Sequence, residues 1–469
     1  MTTIPAAHSA PKPASGEPVA SARTAAEAER QPVDVAPVAS EQGWRRTFAS
    51  LAYPQFRLFW LSNLIVAVGL MVEAVAQQWL IVELTDSATV LGLVWGMWGV
   101  AFAASSVPLG ILSDRANRRN LLLAGSLCAL VVSALLAVLV AASLVAIWQV
   151  LVASGIAGVL LALRIPSGQA MTARLVPPER TVNAISLNQM ASSLPSIAGP
   201  AVGGIIVAFV GVAGAYFATS AAFLVAVLMM MGVAASYGVV QRRAPQSAGA
   251  DLHEAWQYLR SHRELLRLTA VMLAPFVLGQ SYVLLLPLFV EKELGLGPEA
   301  LGALSAALGA GSVLGALLVA TFVRERQLGL LMSGGIFTTG VAGVLYGLSG
   351  NVVLTGAFLF AAGAGESAIF ASYNTILLLR LPDELRGRIM GLMFTLVGMY
   401  PVGAIIAGIA ADMVGLRTVA VVQGLLILPI AIGAWFAVLR SLSAGEISQA
   451  RTVRVSPTQF EKITPALPD

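Results

Sequence analysis

The stretch Pro108–Asn120, PLGILSDRANRRN, ends a long apolar run abruptly in a group of charged side chains. The charged residues are Asp114, Arg115, Arg118 and Arg119. Ionised side chains are costly in hydrocarbon, so the segment predicts a tight turn at a membrane surface, with one membrane helix entering it and another leaving it. Arginine in short loops is typical of the cytoplasmic side, so the turn also indicates an orientation.

The overall composition supports a membrane protein. Hydrophobic residues make up 57% of the 469 residues, charged residues 11%, and the mean hydropathy is +0.83. A soluble chain of this length does not need so much apolar sequence for its core. The net charge of +4 would also fit a nucleic-acid partner. Because the arginines lie between apolar runs, they indicate loop charge, and we expect no nucleic-acid partner.

The sequence indicates neither a metal site nor a cofactor. Cys128 is the only cysteine and lies inside an apolar run. It has no metal-ligand spacing with His8, His253 or His262. The sequence also shows no nucleophile paired with a base and no phosphate-binding loop, so we do not expect an enzyme.

Apolar runs long enough for a membrane helix, about 20 residues, occur twelve times. The predicted spans are 58–82, 88–112, 121–142, 146–172, 184–210, 212–235, 269–290, 300–323, 328–349, 352–379, 389–411 and 417–439. An even number of spans places both termini on one side of the membrane. We expect a multi-pass protein of a bacterial-type inner membrane, in contact with the lipid bilayer, with both termini cytoplasmic.

Loop charge is a separate test of this assignment. The predicted external connections contain only Lys292 and Arg417. The predicted cytoplasmic connections contain fifteen arginines: Arg115, Arg118, Arg119, Arg174, Arg180, Arg242, Arg243, Arg260, Arg263, Arg267, Arg324, Arg326, Arg380, Arg386 and Arg388. One missed span would interchange the two sides beyond it, so this bias favours the predicted number of spans.

A weak internal repeat divides the chain into two parts. RLVPPER at Arg174–Arg180 and RLPDELR at Arg380–Arg386 each follow a fourth span, and Glu384 lies 384 − 179 = 205 positions after Glu179. We predict an all-α membrane protein whose twelve transmembrane helices form two six-helix pseudo-repeat bundles around a central cavity. The predicted segments are a disordered cytoplasmic tail (1–55), a six-helix bundle (56–235), a cytoplasmic linker with an interfacial helix (236–268), a second bundle (269–440) and a cytoplasmic tail (441–469). A partly ordered linker is the alternative to the interfacial helix.

The opening turn and four other stretches resemble a known family. Gly110, Asp114, Arg115, Arg118 and Arg119 match the loop signature G-x-L-x-D-R-x-x-R-R of the major facilitator superfamily, with Asn117 where a glycine is usual. The other stretches resemble the bacterial branch of that superfamily that contains enterobactin and macrolide exporters. They are FRLFWLSN (Phe56–Asn63), WLIVELTDSATVLGLV (Trp79–Val94), LVPPERTVNAISLN (Leu175–Asn188) and AWQYLRSHRELLRL (Ala255–Leu268).

The resemblance implies a conformational role for the turn. Gly110 has no side chain, which allows another helix to approach closely. Asp114 is then expected to face the positive N-terminal end of the eleventh span, near Ile389, while the cytoplasmic side is shut. Together with Arg115, Arg118 and Arg119, it would act as a latch on the outward-facing state. The alternative is that these charges only set the topology.

Three ionisable residues lie well inside the predicted spans, and such residues are functional candidates by default. Glu73 lies in span one, Arg164 in span four and Glu366 in span ten. The resemblance implies that these spans line the central cavity. Either carboxyl could carry a proton, and its anionic form could attract a cationic substrate. The alternative is a structural hydrogen bond or an ion pair with Arg164.

Neutral polar residues on the predicted lining helices are further candidates for the cavity. They are Asn63, Gln77, Gln169, Gln280, Tyr282 and Asn374. Each could instead hold two helices together. In span five, Gly199, Pro200, Gly203 and Gly204 resemble an antiporter signature; there the proline bends the helix and the glycines let neighbouring helices pack.

The chain departs from the pattern of the exporter branch at one informative place. The usual D-x-P-A-R-Q-A becomes Arg164-Ile165-Pro166-Ser167-Gly168-Gln169-Ala170, with a base at the usual acid position. The resemblance implies a monomeric secondary transporter that exports a small amphipathic compound, drug-like or siderophore-like, in exchange for protons. An importer or flippase of a nutrient or lipid, and a sensor or scaffold that does not transport, stay open as alternatives.

Overall fold

The computed structural model describes residues 47–238, 248–322, 327–381, 385, 389–393, 396 and 402–443, and all regular structure within these residues is helical. The helices are α1 (Pro54–Leu84), α2 (Ala88–Arg115), α3 (Arg118–Ala141), α4 (Ile147–Thr172), α5 (Thr181–Ser193), α6 (Pro195–Met231), α7 (Ala248–Ser261), α8 (Arg263–Leu284), α9 (Leu286–Lys292), α10 (Pro298–Phe322), α11 (Leu328–Leu348), α12 (Val352–Arg380), α13 (Val402–Val414) and α14 (Leu416–Ser443). Single 3₁₀ turns cover Ala49–Ala52, Pro178–Arg180 and Ala235–Gly238.

The length and surface of the helices fit a bilayer. Nine helical segments among the described residues are long and apolar enough to cross a membrane. A helix such as α1, with 31 residues, extends about 46 Å at 1.5 Å per residue, against a hydrocarbon core of about 30 Å. Apolar side chains such as Val131, Phe209 and Val353 are 63%, 84% and 74% exposed. In water such a surface would be unfavourable, whereas lipid solvates it.

Several apolar runs do not correspond one to one with helices. Pro195 has no backbone N–H to donate, and helix α5 ends two residues before it. Helix α6 then continues to Met231, but Gly211 within it has a φ of +78°, where two helical stretches meet. Pro287 similarly lies in the first turn of α9, just after the break that ends α8.

Other predicted segments lie partly outside the described residues. In the predicted span 389–411, the structure gives helix bounds only for Val402–Val414. Residues 1–46 and 444–469, which cover most of the two predicted tails, and the linker residues 239–247 also lie outside the described residues. The linker does contain a helix, α7, whose Ala255 and Leu259 are buried and whose Trp256 is 42% exposed. Its interfacial position stays a prediction.

The helices fall into two sets, the N-terminal helices α1–α6 and the C-terminal helices α7–α14. Buried residues form clusters within each set and one cluster that contains both. One cluster contains members of both sets, including Leu80, Leu91, Leu288, Phe289 and Ala407. Two clusters around Phe56 and Phe223 contain only N-terminal helices, together with the turns beside them. A further cluster around Tyr373 contains only residues from Ala255 onward. The described parts of the two sets therefore share a core in one region and keep separate cores elsewhere.

Candidate functional site

The shared core lies at one end of the bundle, called here the Asp412 end, where α1, α13 and α9 finish and α2 begins. Asp412 reaches from α13 to the first residues of α2. Its carboxylate accepts hydrogen bonds from the Ser87 hydroxyl at 2.7 Å, the Ala88 backbone N–H at 2.8 Å and the Thr89 backbone N–H at 3.0 Å. The first N–H groups of a helix have no partner within it and carry a partial positive charge. Asp412 therefore caps α2 from the other set of helices.

Glycines bring the two sets of helices into backbone contact near this end. A Cβ atom on Gly92 would lie 3.0 Å from the Ile405 Cα, and one on Gly408 would lie 3.0 Å from the Thr89 Cα. Helix α6 meets α10 in the same way, since a Cβ on Gly204 would lie 2.9 Å from the Gly302 Cα. Such contacts leave no room for a side chain, so they close this end tightly.

Two basic residues add polar contacts at the Asp412 end. The Lys292 ammonium donates to the Asp86 carbonyl at 2.6 Å and lies 3.8 Å from the Asp86 carboxylate, which links the two sets of helices. Arg417 pairs with Glu293 within the C-terminal helices. Its guanidinium carbon lies 5.9 Å from the centre of the Phe289 ring. These exposed or half-exposed pairs each contribute little stability, about 0–1 kcal/mol.

The opposite end, called here the Asp114 end, carries the predicted latch. The Asp114 side chain is 78% exposed, and within the described part of the chain its carboxylate contacts only Arg118, at 3.4 Å. A Cβ on Gly110 would meet no atom within 4 Å. In this state, therefore, no described residue of another helix closes on Gly110 or Asp114.

Arg119 and Asn117 attach the turn to the end of α6. The Arg119 guanidinium donates to the Met231 carbonyl at 2.9 Å and to the Val233 carbonyl at 3.0 Å. A cation at the last carbonyls of a helix is favourable. The Asn117 amide donates to the Ala235 carbonyl at 2.9 Å, and its oxygen accepts from the Asn120 N–H at 3.3 Å. Arg119 thus has a structural contact that the sequence did not predict.

Arg164 is held by a short chain of polar contacts between α4, α1 and α5. Its Nη2 donates to the Asn63 carbonyl at 3.1 Å and to the Asn63 side-chain oxygen at 3.3 Å. The Asn63 amide in turn donates to the Asn188 side-chain oxygen at 3.1 Å. The structure therefore brings two predicted polar residues, Arg164 and Asn63, into direct contact. Asn188, which accepts from Asn63, is a further residue that sequence reasoning did not assign.

The two intramembrane carboxyls lie in different surroundings. Glu73 on α1 is half-buried and close enough to Tyr216 of α6 to interact electrostatically. Glu366 is half-buried and lies one turn before Phe370, on a face of α12 that turns towards α8. The Phe370 ring lies 6.3 Å from the Phe276 ring of α8. No ion pair joins Glu73, Arg164 and Glu366 within the described residues.

The neutral candidates are dispersed. Gln77 is half-buried and Gln169 is exposed. The Asn374 amide donates to the Phe370 carbonyl of its own helix at 2.8 Å. The side chains of Gln280 and Tyr282 lie outside the described part of the structure, although both residues fall within α8.

The glycine–proline signature of the fifth span lies on packed surfaces. Gly199 packs against Met71 of α1, and a Cβ on Gly203 would lie 3.0 Å from the Val72 Cα. Gly204 faces α10, as described above, and Pro200 lies inside α6 with its carbonyl oxygen close to Gly302. The signature therefore contacts both the N-terminal helices and the C-terminal helices.

Sequence reasoning missed the closing contact at the Asp412 end. Ser87 is a serine immediately before an apolar helix, which is a signal for a helix N-cap. Asp412 is an acid at the end of an apolar run, which predicts a loop position. Neither signal shows that residues 325 positions apart form one cap, because that depends on how α2 and α13 pack.

Comparison with known proteins agrees with the fold. Residues 45–460 match the family of transmembrane secretion effectors. Macrolide efflux protein A of Streptococcus pyogenes is 24% identical over 78% of this chain and 92% of its own length. The enterobactin exporter of Shigella flexneri is 26% identical over 75% of this chain and 84% of its own length.

Solved transporters share the fold. A bacterial homologue of the human lysosomal transporter Spinster, in an inward-facing and unoccupied conformation, superposes with a TM-score of 0.67 at 14% identity. The superposition covers 85% of this chain and 98% of that one. The matching family and these relatives are transporters rather than enzymes. The chain is therefore a multi-pass membrane protein that belongs to the transmembrane secretion effector family of the major facilitator superfamily.

Proposed function

We propose that the chain is a secondary active exporter of a small amphipathic compound, which it exchanges for protons by alternating access. One observation carries the proposal: among the described residues, the buried cluster that contains both sets of helices lies at the Asp412 end. A protein that is closed at one end and has separate cores elsewhere has the arrangement of one of two alternating states. In the proposed layout each set belongs to one six-helix bundle of a twelve-helix protein.

The orientation follows from loop charge. The arginine-rich Asp114 end is the cytoplasmic end in this proposal, because basic residues concentrate on that side. The structure then corresponds to an inward-facing state, in which the substrate enters from the cytoplasm. Closure of the Asp114 turn on the helix that begins near Ile389 would give the outward-facing state, with Asp114 as the latch.

Export is favoured by the relatives, since two that match most of this chain are an efflux protein and an exporter. Proton coupling is assigned to Glu366 and Glu73, because no described span contains histidine and a half-buried carboxyl can exchange a proton when its surroundings change. Glu366 is the primary candidate, since it lies near the middle of α12, on the face that turns towards α8.

The test is uptake into inverted membrane vesicles with an acidic interior. Erythromycin, fluorescein and rhodamine 123 are offered to vesicles with and without a proton gradient. We expect gradient-driven uptake of at least one compound, and we expect Glu366→Gln to reduce it by about 10²-fold, as for loss of a required proton carrier. Glu299→Gln, at an exposed glutamate in the first turn of α10, is the matched control. Uptake that is the same with and without the gradient, and that is unchanged by Glu366→Gln, would refute proton-coupled export.

A further inference from the structure

We infer that Arg164 binds an anionic oxygen group of the transported compound, so that the substrate is an anion rather than a cation. This inference rests on the proposed transport function and specifies its substrate class. Its basis is the direction in which Arg164 faces, the contacts that hold it, the donors it leaves unused and the absence of a countercharge in the described residues around it.

Arg164 faces the interior of the bundle and not the lipid. The exposed face of α4 is marked by Trp148, Val152 and Val159, which are 65%, 54% and 37% exposed. At about 100° per residue, Arg164 lies roughly 140° around the helix from Val159. One turn further along on the same face, Gly168 is buried, yet a Cβ built on it would meet no atom within 4 Å. The side of α4 that bears Arg164 therefore borders internal space.

The guanidinium is oriented by contacts that do not neutralise it. Both contacts to Asn63 use Nη2, and both acceptors are neutral oxygens. Asn63 is itself fixed by donating to Asn188. A side chain that would otherwise sample many rotamers is thus held in one direction, which reduces the entropy that a ligand must offset on binding.

Three N–H donors of Arg164 remain available. A guanidinium carries five, of which Nη2 supplies two. No described residue accepts a hydrogen bond from Nε or Nη1. Neither atom is among the enclosed polar atoms that lack a partner, such as Arg174 Nη1. Both atoms therefore retain some accessible surface.

No acid in the described residues compensates the charge. The ion pairs in that part of the chain are Arg118–Asp114, Lys292–Asp86, Arg380–Glu264 and Arg417–Glu293. Glu73 lies ten positions beyond Asn63 on α1, which is about 15 Å along the helix axis. A half-buried guanidinium without a countercharge is costly in a membrane. An anionic ligand would supply that charge, whereas a cationic ligand would be repelled.

The chemistry of the site selects oxygen anions. A guanidinium edge donates two parallel hydrogen bonds to a carboxylate, and it can similarly meet paired phenolate or phosphate oxygens. The apolar remainder of the compound would lie against the apolar helices. A compound that is anionic at one end and apolar at the other therefore fits best.

The test compares two dyes that share a xanthene scaffold and differ in charge. Fluorescein is anionic and rhodamine 123 is cationic at neutral pH, and each is titrated into the purified full-length protein while fluorescence anisotropy is recorded. We expect fluorescein to bind at least about tenfold more tightly than rhodamine 123, and Arg164→Gln to weaken fluorescein binding by about tenfold or more. Arg164→Lys should bind fluorescein with intermediate affinity, because lysine keeps the positive charge but cannot donate two parallel hydrogen bonds from a planar group. Arg260→Gln, at an exposed arginine of α7, is the control.

A second variant separates ligand binding from a structural role. Asn63→Asp places a carboxylate where the Asn63 oxygen now contacts Arg164, so it supplies the missing countercharge from within the protein. We expect fluorescein binding to fall by about tenfold although the arginine is present, while the melting temperature is unchanged or higher. If Arg164 only joined helices, Asn63→Asp would leave dye binding as it is.

The outcomes distinguish this inference from the proposed function. The inference is overturned if fluorescein binds no more tightly than rhodamine 123, if it does not bind, or if Arg164→Gln and Asn63→Asp leave its affinity unchanged. Gradient-driven uptake of rhodamine 123 alone in the vesicle assay would overturn the anion inference and leave the exporter proposal standing. Selective fluorescein binding without any gradient-driven uptake would overturn the exporter proposal and leave the anion inference standing.

Discussion

At the scale of single residues, Asp412 and Asp114 lie at the ends of two helices that pack against each other. Asp412, near the end of α13, accepts three hydrogen bonds from the start of α2. Asp114, near the end of α2, is exposed in this state. The same physical contact, a carboxylate on a helix N-terminus, is thus present at one end and is proposed for the other end in the alternate state.

Removal of the Asp412 carboxylate should open that end. Loss of an N-cap costs about 1 kcal/mol, so Asp412→Ala should raise the open fraction of the Asp412 end by about fivefold. Asp412→Asn keeps one acceptor oxygen and should have a smaller effect. The measurement is the rate of maleimide labelling of a cysteine at Leu301, which is fully buried beside the α6–α10 contact, with Cys128 replaced by serine.

A second cysteine site tests whether the variant merely unfolds. Ala226 is also fully buried, but it lies on α6, in a cluster that contains only N-terminal helices. Opening of the Asp412 end should leave a cysteine at Ala226 protected. Equal acceleration of labelling at both positions would contradict a specific role of Asp412 in closure.

The sequence could identify residue types but not their partners. Arg164 and Glu366 were recognisable as candidates because ionisable residues are rare within apolar runs. That Arg164 contacts Asn63, and that Arg119 contacts the end of α6, depends on distances between helices far apart in the chain. The inferred anionic ligand rests on a base without a countercharge among the described residues, whereas the carboxyls alone suggested a cationic ligand.

At the scale of elements, α2 carries a glycine near each end, and the two glycines have opposite surroundings. Gly92 is in backbone contact with α13, and Gly110 has open space around it. Both are helical, so replacement by alanine brings the same gain in helix propensity at both positions, about 1 kcal/mol. Any difference between the two variants therefore reports helix packing.

We expect Gly92→Ala and Gly110→Ala to shift the conformational equilibrium in opposite directions. Gly92→Ala forces α2 away from α13 and should favour opening of the Asp412 end. The methyl group of Gly110→Ala would meet no other atom in the present state. It would obstruct the proposed closure of the Asp114 end, so the variant should favour the present state. Labelling of the Leu301 cysteine should rise in the first variant and fall in the second. A change in the same direction in both variants would contradict the proposed closure on Gly110.

The boundaries of the elements were predictable where a single helix crosses the membrane. The run 121–142 corresponds to α3 and the run 352–379 to α12. The break at Gly211 also falls between two predicted runs. The breaks before Pro195 and Pro287 were not predicted, because a proline can either kink a membrane helix or end it, and neighbouring helices decide which.

At the scale of the whole molecule, the proposal requires that the two ends exchange roles. The present state joins the N-terminal and C-terminal helices at the Asp412 end, through Asp412, Lys292 and the glycine contacts. A single hydrophobic core across this end can separate only if the other end gains comparable contacts. The opening of one end and the closing of the other must therefore be coupled.

The central claim is tested most directly by spin-label distances measured at both ends of the same protein, with Cys128 replaced by serine. One label pair at Leu144 and Val353, which are 67% and 74% exposed, spans the Asp412 end. The other pair, at Val182 and Leu379, which are 77% and 54% exposed, spans the Asp114 end. We predict that Asp412→Ala lengthens the first distance and shortens the second in the same fraction of molecules. A change at the Asp412 end with no change at the Asp114 end would contradict alternating access.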